Sequence, residues 1–489
     1  MLLAIDQGTT SSRAVLFDVR GGVVDVAQKE LTLHTPNKGW VEQDPRDIWQ
    51  GTLWCLQEIA ARNDVTAIAG CGITNQRETT IVWDRKTGEP VYNAIVWQDR
   101  RTADICAALK EQGCEEAIAA KTGLLLDPYF SATKIAWILE NVDGAREQAE
   151  AGELAFGTVE CYLLWHLTGG KMHVSDASNA SRTMLFNIEV QDWDDDLLAL
   201  FDIPRSILPE VRDNVADFGA IDAQHFGAAM PIGGMVGDQQ AALIGQGCFE
   251  RGMVKSTYGT GCFALMNVGE VFKPSQNRLL TTVGYRLGGQ VTYAIEGSIF
   301  IAGAAVQWLR DNLGVIENAA QSEALARSVP DNNDVYFVPA FTGLGAPYWR
   351  PDARAMICGL SRESRKAHIA RAALEAQGFQ TRDLMDAMAK DSGFPVDVIR
   401  ADGGLVANGF MCQFLADMVG ARIDVPRVHE ATAWGAAALA GMQAGVFDGL
   451  GDIAALWDCE KAYQPEMQDD DRAALYEGWT RAVGMLLDA

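Results

Sequence analysis

One stretch near the start of the chain concentrates groups that bind phosphate. Residues 6–13, Asp-Gln-Gly-Thr-Thr-Ser-Ser-Arg, bring one carboxylate, several hydroxyls, backbone N–H groups and an arginine into eight positions. This set suits a phosphate chain and its metal ion. An ordinary solvated turn is built from the same residue types, and the octapeptide taken alone favours that second interpretation slightly. The rest of the chain must decide between the two.

Apolar runs on both sides of this stretch predict the element that positions it. Residues 2–5 and 14–17 are apolar and predict two paired strands, and Gly8 supplies a backbone position that is free to take a positive φ. Residues 23–26 add a third strand after a Gly-Gly turn. We therefore expect an antiparallel meander whose first hairpin has a polar tip.

The following elements extend the meander into a mixed α/β unit. Asp44-Pro45 predicts an N-cap with proline at the first helical position, opening an amphipathic helix through Ala60. A buried strand over residues 65–73 follows. Three strands, a helix and a strand are the beginning of a mixed α/β domain.

A second candidate site lies where the next strands end. Arg77 and Glu78 follow the strand predicted over residues 65–73, and Trp97 ends another predicted over 91–97. Ligand contacts in α/β proteins gather at strand ends. Taken singly, however, Arg77-Glu78 is more often a surface ion pair and Trp97 a core aromatic.

Asp238 is a third candidate, and its position has a simpler explanation. An apolar strand over residues 230–236 precedes it and a helix over 241–247 follows, so we expect Asp238 at the N-cap. A capping aspartate contributes about 1 kcal/mol and needs no further function. For an isolated aspartate, capping is the preferred interpretation.

Near residue 247 the pattern of the first hairpin begins again. Residues 252–265 run strand, Thr/Gly turn, strand, and strands over 279–285 and 291–295 are expected to complete a second meander. A helix over 298–312 carries Gly303 and Gln307 one turn apart on one face. The repeat indicates a duplicated α/β unit with a cleft between the copies.

A glycine pair, Gly403-Gly404, separates a strand over residues 398–401 from a helix beginning near Gly409. Such a pair lets a ligand approach the backbone and the helix N-terminus, and it also makes a tight turn; the two interpretations are about equally weighted. Neither G-x-x-x-x-G-K-[ST] nor G-x-G-x-x-G occurs, so any nucleotide must be held by another architecture.

Composition narrows the class of protein. The 489 residues suit two or three domains, and 48% hydrophobic residues indicate a globular chain. A net charge of −25 argues against nucleic-acid and anionic-membrane partners. Ten cysteines without C-x-x-C are typical of reduced thiols, and no apolar run approaches the ~18 residues of a membrane span. We expect a cytoplasmic protein without membrane insertion.

Seven motifs follow one another along the chain: residues 6–13, 72–83 (GITNQRETTIVW), 92–97 (YNAIVW), 179–187 (NASRTMLFN), 237–242 (GDQQAA), 258–263 (YGTGCF) and 339–349 (PAFTGLGAPYW). Taken together, these motifs resemble those of the FGGY carbohydrate kinases, and among them the members that phosphorylate glycerol. The resemblance covers residues 2 to about 445.

The resemblance implies an α/β fold of two actin-like ATPase (ribonuclease-H-like) domains with an interdomain catalytic cleft. Residues 1–246 would carry the polyol site and the phosphate hairpin, and residues 247–489 the nucleotide site. It implies ATP-dependent phosphorylation of glycerol to sn-glycerol 3-phosphate with release of ADP, the first step of glycerol catabolism. It also implies ATP and Mg²⁺ as cofactors and a homo-oligomer, dimer or tetramer.

The resemblance also assigns roles to matching positions. Asp238 would accept the proton of the attacking hydroxyl, and a helix N-terminus would favour its ionised form. Asp6 and Asp238 would lie beside the metal. Polyol contacts would come from Arg77, Glu78, Trp97, Tyr129, Asp238, Gln239 and Phe263, and nucleotide contacts from Thr9, Thr10, Ser11, Arg13, Thr260, Gly261, Gly303, Gln307, Gly404 and Asn408.

Two alternatives remain open from the sequence. One is a kinase of the same family for another small polyol or ketose. The other is a nonenzymatic nucleotide-driven scaffold of actin or chaperone type, which shares the cleft but has no need of the Arg77, Glu78 and Asp238 constellation. Fold alone does not separate these possibilities, whereas the site does.

Overall fold

Two mixed β-sheets organise the computed structural model, which describes residues 1–350, 352–428 and 430–488. Within these residues the first sheet has six strands and the second has seven. The strands up to residue 237 are β1 (Leu2–Gln7), β2 (Ser11–Phe17), β3 (Val23–Glu30), β4 (Glu42–Gln43), β5 (Cys71–Asn75), β6 (Ile81–Asp84), β7 (Ala94–Ile95), β8 (Leu154–Gly157), β9 (Val174–Asp176), β10 (Phe186–Asn187), β11 (Asp192–Trp193), β12 (Glu210–Arg212), β13 (Ala220–Ile221) and β14 (Met230–Gly237).

Helices cover the first sheet and fill the segment between β7 and β13. They are α1 (Pro45–Arg62), α2 (Ala103–Glu111), α3 (Glu115–Thr122), α4 (Ser131–Asn141), α5 (Ala145–Glu150), α6 (Val159–Leu167), α7 (Ala177–Ala180), α8 (Asp195–Leu200), α9 (Ala223–Phe226) and α10 (Asp238–Gly245).

The second half begins with a new hairpin. Its strands are β15 (Val254–Tyr258), β16 (Cys262–Gly269), β17 (Leu280–Leu287), β18 (Gln290–Ile299), β19 (Tyr336–Val338), β20 (Met356–Cys358), β21 (Val398–Asp402), β22 (Arg422–Pro426) and β23 (Cys459–Tyr463). Its helices are α11 (Gly303–Asp311), α12 (Ala319–Arg327), α13 (Lys366–Ser392), α14 (Gly409–Val419), α15 (Ala431–Gln443), α16 (Leu450–Leu456) and α17 (Asp469–Leu487).

The two sheets share one strand order. In the first, β3-β2-β1-β5-β14 combines antiparallel pairs at β1–β2 and β2–β3 with parallel pairs at β1–β5 and β5–β14. In the second, β18-β16-β15-β21-β22 repeats the same pairings. This repeat is the duplicated α/β unit that the sequence predicts.

Four sequence predictions of elements are wrong in detail. The second meander fails because β18 pairs directly with β16, which leaves β17 at the sheet edge. The strand expected over 65–73 begins only at Cys71, since Asp64 caps a short 3-10 helix before it. The strand expected over 91–97 is limited to Ala94–Ile95. The helix expected from residue 298 begins at Gly303, because Ser298 belongs to β18.

Helix α1 packs against the first hairpin and holds it in place. Asp44 caps it by accepting from the Arg46 N–H, and proline occupies the first turn, as predicted. Its apolar face packs on β2 and β3. From the same face the Thr52 hydroxyl donates to Gln7 Oε1 at 3.0 Å, and the Ser12 hydroxyl donates to the same oxygen at 2.7 Å. The strands of the hairpin are thereby tied to each other and to the helix.

Helix α15 joins the two halves. Although it follows β22 in the chain, it packs on β1, β5 and β14 of the first sheet and on α10. Its sequence is rich in alanine and glycine, so its backbone approaches closely: a Cβ added at Gly72 of β5 would overlap the backbone of Ala436. The apolar packing therefore continues across residue 246, where the sequence predicts a domain boundary.

Of the residues described, none belongs to a helix that is both long and apolar enough to cross a bilayer.

Candidate active site

A buried network of charges surrounds Arg77 and Glu78. Both side chains are almost fully buried, at 2% and 1% exposure, so the surface ion pair considered from the sequence is wrong. Arg77 donates to both carboxylate oxygens of Glu296, with Nη1–Oε2 at 2.6 Å and Nη2–Oε1 at 2.9 Å. Arg182 links the same glutamate to Glu78, through Nη2–Oε1 at 3.0 Å and Nε–Oε1 at 2.7 Å. Two arginines and two glutamates thus hold one another in place.

The network crosses from one sheet to the other. Arg77 and Glu78 follow β5, whereas Glu296 belongs to β18 of the second sheet. Burial alone would raise the pKa of Glu296, but Arg182 and Arg77 outweigh it and hold that pKa at about 2. Glu296 is therefore ionised and provides a fixed negative charge for both guanidinium groups.

Glu78 has an unusual backbone conformation that its neighbours stabilise. Its φ is 60°, in the left-handed region that is costly for a side chain other than glycine. Its carbonyl oxygen accepts from Thr80 Oγ1 at 3.1 Å, Ser131 Oγ at 3.2 Å and Lys134 Nζ at 3.2 Å. Lys134 also donates to the carbonyl of Tyr129 at 2.7 Å. One buried ammonium thus connects two residues of the predicted polyol set.

Asp238 lies beside this network, but it is not the N-cap of α10 as predicted. The cap of α10 is Gly237, and Asp238 is the first helical residue. Its carboxylate pairs with Arg77 Nε at 3.2 Å and accepts from the Gln239 N–H at 2.7 Å. Burial raises the pKa of Asp238, and Arg77 and Lys255 counter that effect. The N–H of Gln239, at the start of α10, favours the ionised form as expected, but burial opposes it and is the largest influence on this pKa.

Three aromatic side chains from distant parts of the chain meet at one wall. The ring centroid of Trp97 lies 5.7 Å from that of Tyr129 and 6.2 Å from that of Phe263, in edge-to-face geometry. The indole Nε1 of Trp97 donates to Thr9 Oγ1 at 2.9 Å. Trp97 therefore connects the first hairpin with β16 of the second sheet, and the interpretation of it as a plain core residue is wrong.

The two strands of the first hairpin pair as predicted, but Gly8 at its tip does not take a positive φ. Asp6 pairs with Arg13 across it, and the tip closes with a bond from the Gly8 N–H to the Ser11 carbonyl at 3.0 Å. Thr10 is exposed at the tip and Ser11 is partly exposed. Arg13 contacts Glu430 at 2.6 Å through Nη2, while its Nε is buried and bonds to no described residue. The tip thus presents hydroxyls, backbone N–H groups and a guanidinium whose Nε bonds to no described residue.

The charges around Asp6 indicate whether a cation would be favourable next to the first hairpin. Burial raises the pKa of Asp6 to about 6; Arg13 opposes this, whereas the negative charges of Asp238 and Glu430 add to it. Asp6 and Asp238 therefore repel each other across the site. The described residues contain no cluster of three or more ligating side chains for a metal. Two carboxylates fit a Mg²⁺ ion that takes its other oxygens from phosphates and water.

The second hairpin is bound to the start of α11. The tip closes from the Gly259 N–H to the Gly261 carbonyl at 2.9 Å, and the Gly259 carbonyl accepts from the Gly303 N–H at 2.9 Å. The Thr260 carbonyl accepts from the Ala302 N–H at 2.8 Å. Three predicted nucleotide residues, Thr260, Gly261 and Gly303, are therefore adjacent. Gln307 is exposed one turn along α11.

The two glycines after β21, Gly403 and Gly404, have different structural roles. Gly403 has a φ of 94°, and a Cβ there would overlap the backbone of Tyr258 in β15, so it serves the tight turn. Gly404 has open space where a Cβ would lie. Asn408 uses its side chain to cap α14, accepting from the Met411 N–H at 3.0 Å and donating to Ser322 Oγ at 3.2 Å. A nucleotide contact from Asn408 stays a prediction.

Sequence reasoning missed three charged residues of this site: Arg182, Glu296 and Lys255. Glu296 and Lys255 each interrupt an otherwise buried strand, β18 and β15. A charge within a buried strand must be paired, and this was the available signal. Arg182 lies in a motif that supported the resemblance, but nothing in its local pattern indicates a partner.

Comparison with known proteins agrees with this architecture. Residues 1–245 match the N-terminal domain, and residues 254–444 the C-terminal domain, of the FGGY family of carbohydrate kinases. The chain is 63% identical to a glycerol kinase of Nitrosomonas eutropha, covering 100% of this chain and 98% of that protein. It is 57% identical to glycerol kinase 1 of Pseudomonas aeruginosa, covering 99% and 98%.

Solved structures give the same result. The crystal structure of Plasmodium falciparum glycerol kinase with ADP superposes with a TM-score of 0.94 at 36% identity, covering 99% of this chain and 98% of that one. A xylulose kinase of Rhodospirillum rubrum superposes with a TM-score of 0.88 at 25% identity, covering 100% and 99%. The chain belongs to the FGGY family of carbohydrate kinases.

Proposed function

We infer that the chain transfers the γ-phosphoryl group of ATP to glycerol, producing sn-glycerol 3-phosphate and ADP. The observation that carries this conclusion is the 63% identity, over the whole chain, to a protein named glycerol kinase. The xylulose kinase that shares the fold is only 25% identical. That difference favours glycerol over a ketose within a common architecture.

The proposed polyol pocket consists of Arg77, Glu78, Trp97, Tyr129, Asp238, Gln239 and Phe263. Glycerol is small and uncharged, so it must be recognised through its hydroxyls and its carbon edge. Arg77 uses Nη1 for Gln240 and Glu296 and one N–H of Nη2 for Glu296, which leaves one Nη2 N–H for a hydroxyl. Glu78 supplies an acceptor, and the aromatic wall contacts the carbons.

Asp238 is the proposed general base. Its contact with Arg77 Nε holds the carboxylate next to the pocket, and its side chain remains 30% exposed, so a substrate hydroxyl can reach it. Transfer of a phosphoryl group depends mainly on positioning and on charge neutralisation. Asp238 therefore acts chiefly by orienting the attacking oxygen and accepting its proton as the bond to phosphorus forms.

The proposed nucleotide loops consist of Thr9, Thr10, Ser11, Arg13, Thr260, Gly261, Gly303, Gln307, Gly404 and Asn408. The two hairpin tips supply hydroxyls and backbone N–H groups, which suit phosphate oxygens. We place Mg²⁺ with the carboxylates of Asp6 and Asp238; when bound, such an ion neutralises charge on the phosphates. Arg13 would turn its unpaired Nε toward the same charge.

Three further predictions belong to this proposal. The polyol pocket lies mainly in an N-terminal domain of residues 1–246, and the nucleotide loops mainly in a C-terminal domain of residues 247–489. The enzyme would be cytoplasmic. The chain would assemble as a homo-oligomer.

The proposal is tested by measuring ADP release with ATP and one of four acceptors: glycerol, dihydroxyacetone, erythritol or xylulose. Glycerol should give the highest kcat/KM, because the relatives that match the whole chain are glycerol kinases and the pocket offers partners for hydroxyls. Release of ADP with xylulose but not with glycerol would overturn the assignment of the substrate. ATP hydrolysis unaffected by all four acceptors would favour the nonenzymatic scaffold instead.

A further inference from the structure

Lys255 is a fully buried lysine with a complete set of acceptors. It lies in β15, and its ammonium donates to Gln239 Oε1 at 2.5 Å, Thr257 Oγ1 at 2.9 Å and the Phe263 carbonyl at 3.2 Å. An ammonium has three hydrogens, so these three bonds use all of them. Burial lowers the pKa of Lys255, while the nearby charges of Asp402 and Asp238 oppose that effect.

The bond to Lys255 decides which way the Gln239 amide faces. A glutamine amide has an accepting oxygen and a donating nitrogen, and the two ends are interchangeable unless a neighbour distinguishes them. An ammonium only donates, so Oε1 must face Lys255. Among the described residues, Nε2 of Gln239 donates to no protein group, and the side chain is only partly buried. Its two N–H groups are therefore available to a ligand.

The other bond from Lys255 concerns the aromatic wall. Phe263 belongs to β16 and meets Trp97 with ring centroids 6.2 Å apart. Lys255 Nζ holds the Phe263 carbonyl, which fixes the backbone from which that ring projects. One ammonium thus contacts a polar and an apolar member of the polyol pocket, the first on α10 and the second on the second sheet.

We propose that Lys255 is a positioning residue for polyol recognition, which presents Gln239 to the substrate as a hydrogen-bond donor and holds Phe263 in the wall. This inference rests on the proposed function. In it, Gln239 donates to a substrate oxygen, whereas Glu78 accepts from a substrate hydroxyl. Lys255 itself touches neither glycerol nor ATP.

The first test compares steady-state kinetics of Lys255→Met and Lys255→Arg with the wild-type enzyme. Lys255→Met should raise the KM for glycerol about tenfold or more and change the KM for ATP less than about threefold. Because Lys255 also lowers the pKa of Asp238, kcat is compared at alkaline pH, where Asp238 is ionised in both enzymes, and should there change less than about threefold. Lys255→Arg should recover part of the glycerol KM, since it keeps a donor. Lys390→Met, at an exposed lysine in the last turn of α13, is the matched control and should leave both KM values unchanged.

The second test begins with a substitution at Gln239 that leaves the buried lysine in place, and then combines changes at both positions. Gln239→Glu keeps an acceptor for Lys255 but removes the donor, so it should raise the glycerol KM by a similar factor. In a Gln239→Leu background, Lys255→Met should add less than about threefold if it acts through Gln239. Fully multiplicative effects, or a wild-type glycerol KM in Gln239→Glu, would overturn the inference.

The outcome also separates this inference from the proposed function. If wild-type enzyme releases ADP with glycerol and the Lys255 variants match it, the inference fails and the function stands. If glycerol gives no ADP but another acceptor does, the substrate assignment fails. The same ratios of variant to wild type are then measured with the active acceptor, and they decide the role of Lys255.

Discussion

The polyol pocket and the nucleotide loops are stabilised in different ways. In the pocket, Arg77, Glu78 and Glu296 are buried and bonded to one another through side chains. In the nucleotide loops, bonds run mostly between backbone groups, and Gly404 and Gln307 face open space. A small uncharged substrate gives few points of attachment, so its donors and acceptors must be fixed in advance, whereas phosphates are bound well by exposed N–H groups and hydroxyls.

The largest effect should follow from removing the base next to the pocket. Asp238→Asn keeps the size of the side chain and a weaker bond to Arg77, but it cannot accept the proton of the attacking hydroxyl. We expect kcat to fall by about 10²- to 10⁴-fold. The affinity for ATP, measured by calorimetric titration, should change little, because the nucleotide loops are intact and asparagine keeps an oxygen that can face the Mg²⁺ ion. Near-normal turnover would remove Asp238 from the mechanism.

The buried network predicts a large effect on folding. Glu296→Gln leaves two buried guanidinium groups without their shared counter-charge, and breaking a buried pair costs about 3–5 kcal/mol. Urea denaturation should show this loss, with a raised glycerol KM in the protein that remains folded.

The matched control for this change is Glu477→Gln in α17. Glu477 forms an exposed ion pair with Arg481, so its loss should cost under about 0.5 kcal/mol. A free energy of unfolding for Glu296→Gln that differs from wild type by no more than this control would show that the network does not hold the pocket.

The same contrast explains how much could be predicted from the sequence. The first hairpin and the Asp44-Pro45 helix start depend on local patterns, and both form as predicted. The placement of β17 at the sheet edge depends on which strand pairs with β16, and no local pattern records that choice. The pairing of Glu296 with Arg77 joins residues more than 200 positions apart in the chain, and no local pattern records it either. The structure brings some of the residues implied by the family resemblance into contact, such as Trp97 with Tyr129 and Phe263. The sequence analysis does not predict the charges of Arg182, Glu296 and Lys255 that support them.

Alanine substitutions at Gly403 and Gly404 separate an effect on folding stability from an effect on nucleotide binding. Gly403→Ala forces a Cβ into the backbone of Tyr258 at a φ of 94°, so we expect a loss of more than about 1 kcal/mol of stability. Gly404→Ala meets open space and should leave the free energy of unfolding within about 0.5 kcal/mol of wild type. If the nucleotide approaches Gly404, its alanine variant should raise the KM for ATP and leave the KM for glycerol unchanged. Equal stability losses in the two variants would contradict the division proposed for the pair.

The smallest effect should come from the contact that joins the two regions. Thr9→Val removes the hydroxyl that accepts from Trp97 Nε1 at 2.9 Å and keeps the shape of the side chain. A neutral hydrogen bond of this kind contributes about 1 kcal/mol, so the glycerol KM should rise by no more than about fivefold through a less fixed Trp97. Thr10→Val, at the exposed tip, is the control and should leave the glycerol KM unchanged. A change in the KM for ATP alone with Thr9→Val would show that Thr9 serves the phosphates and not the aromatic wall.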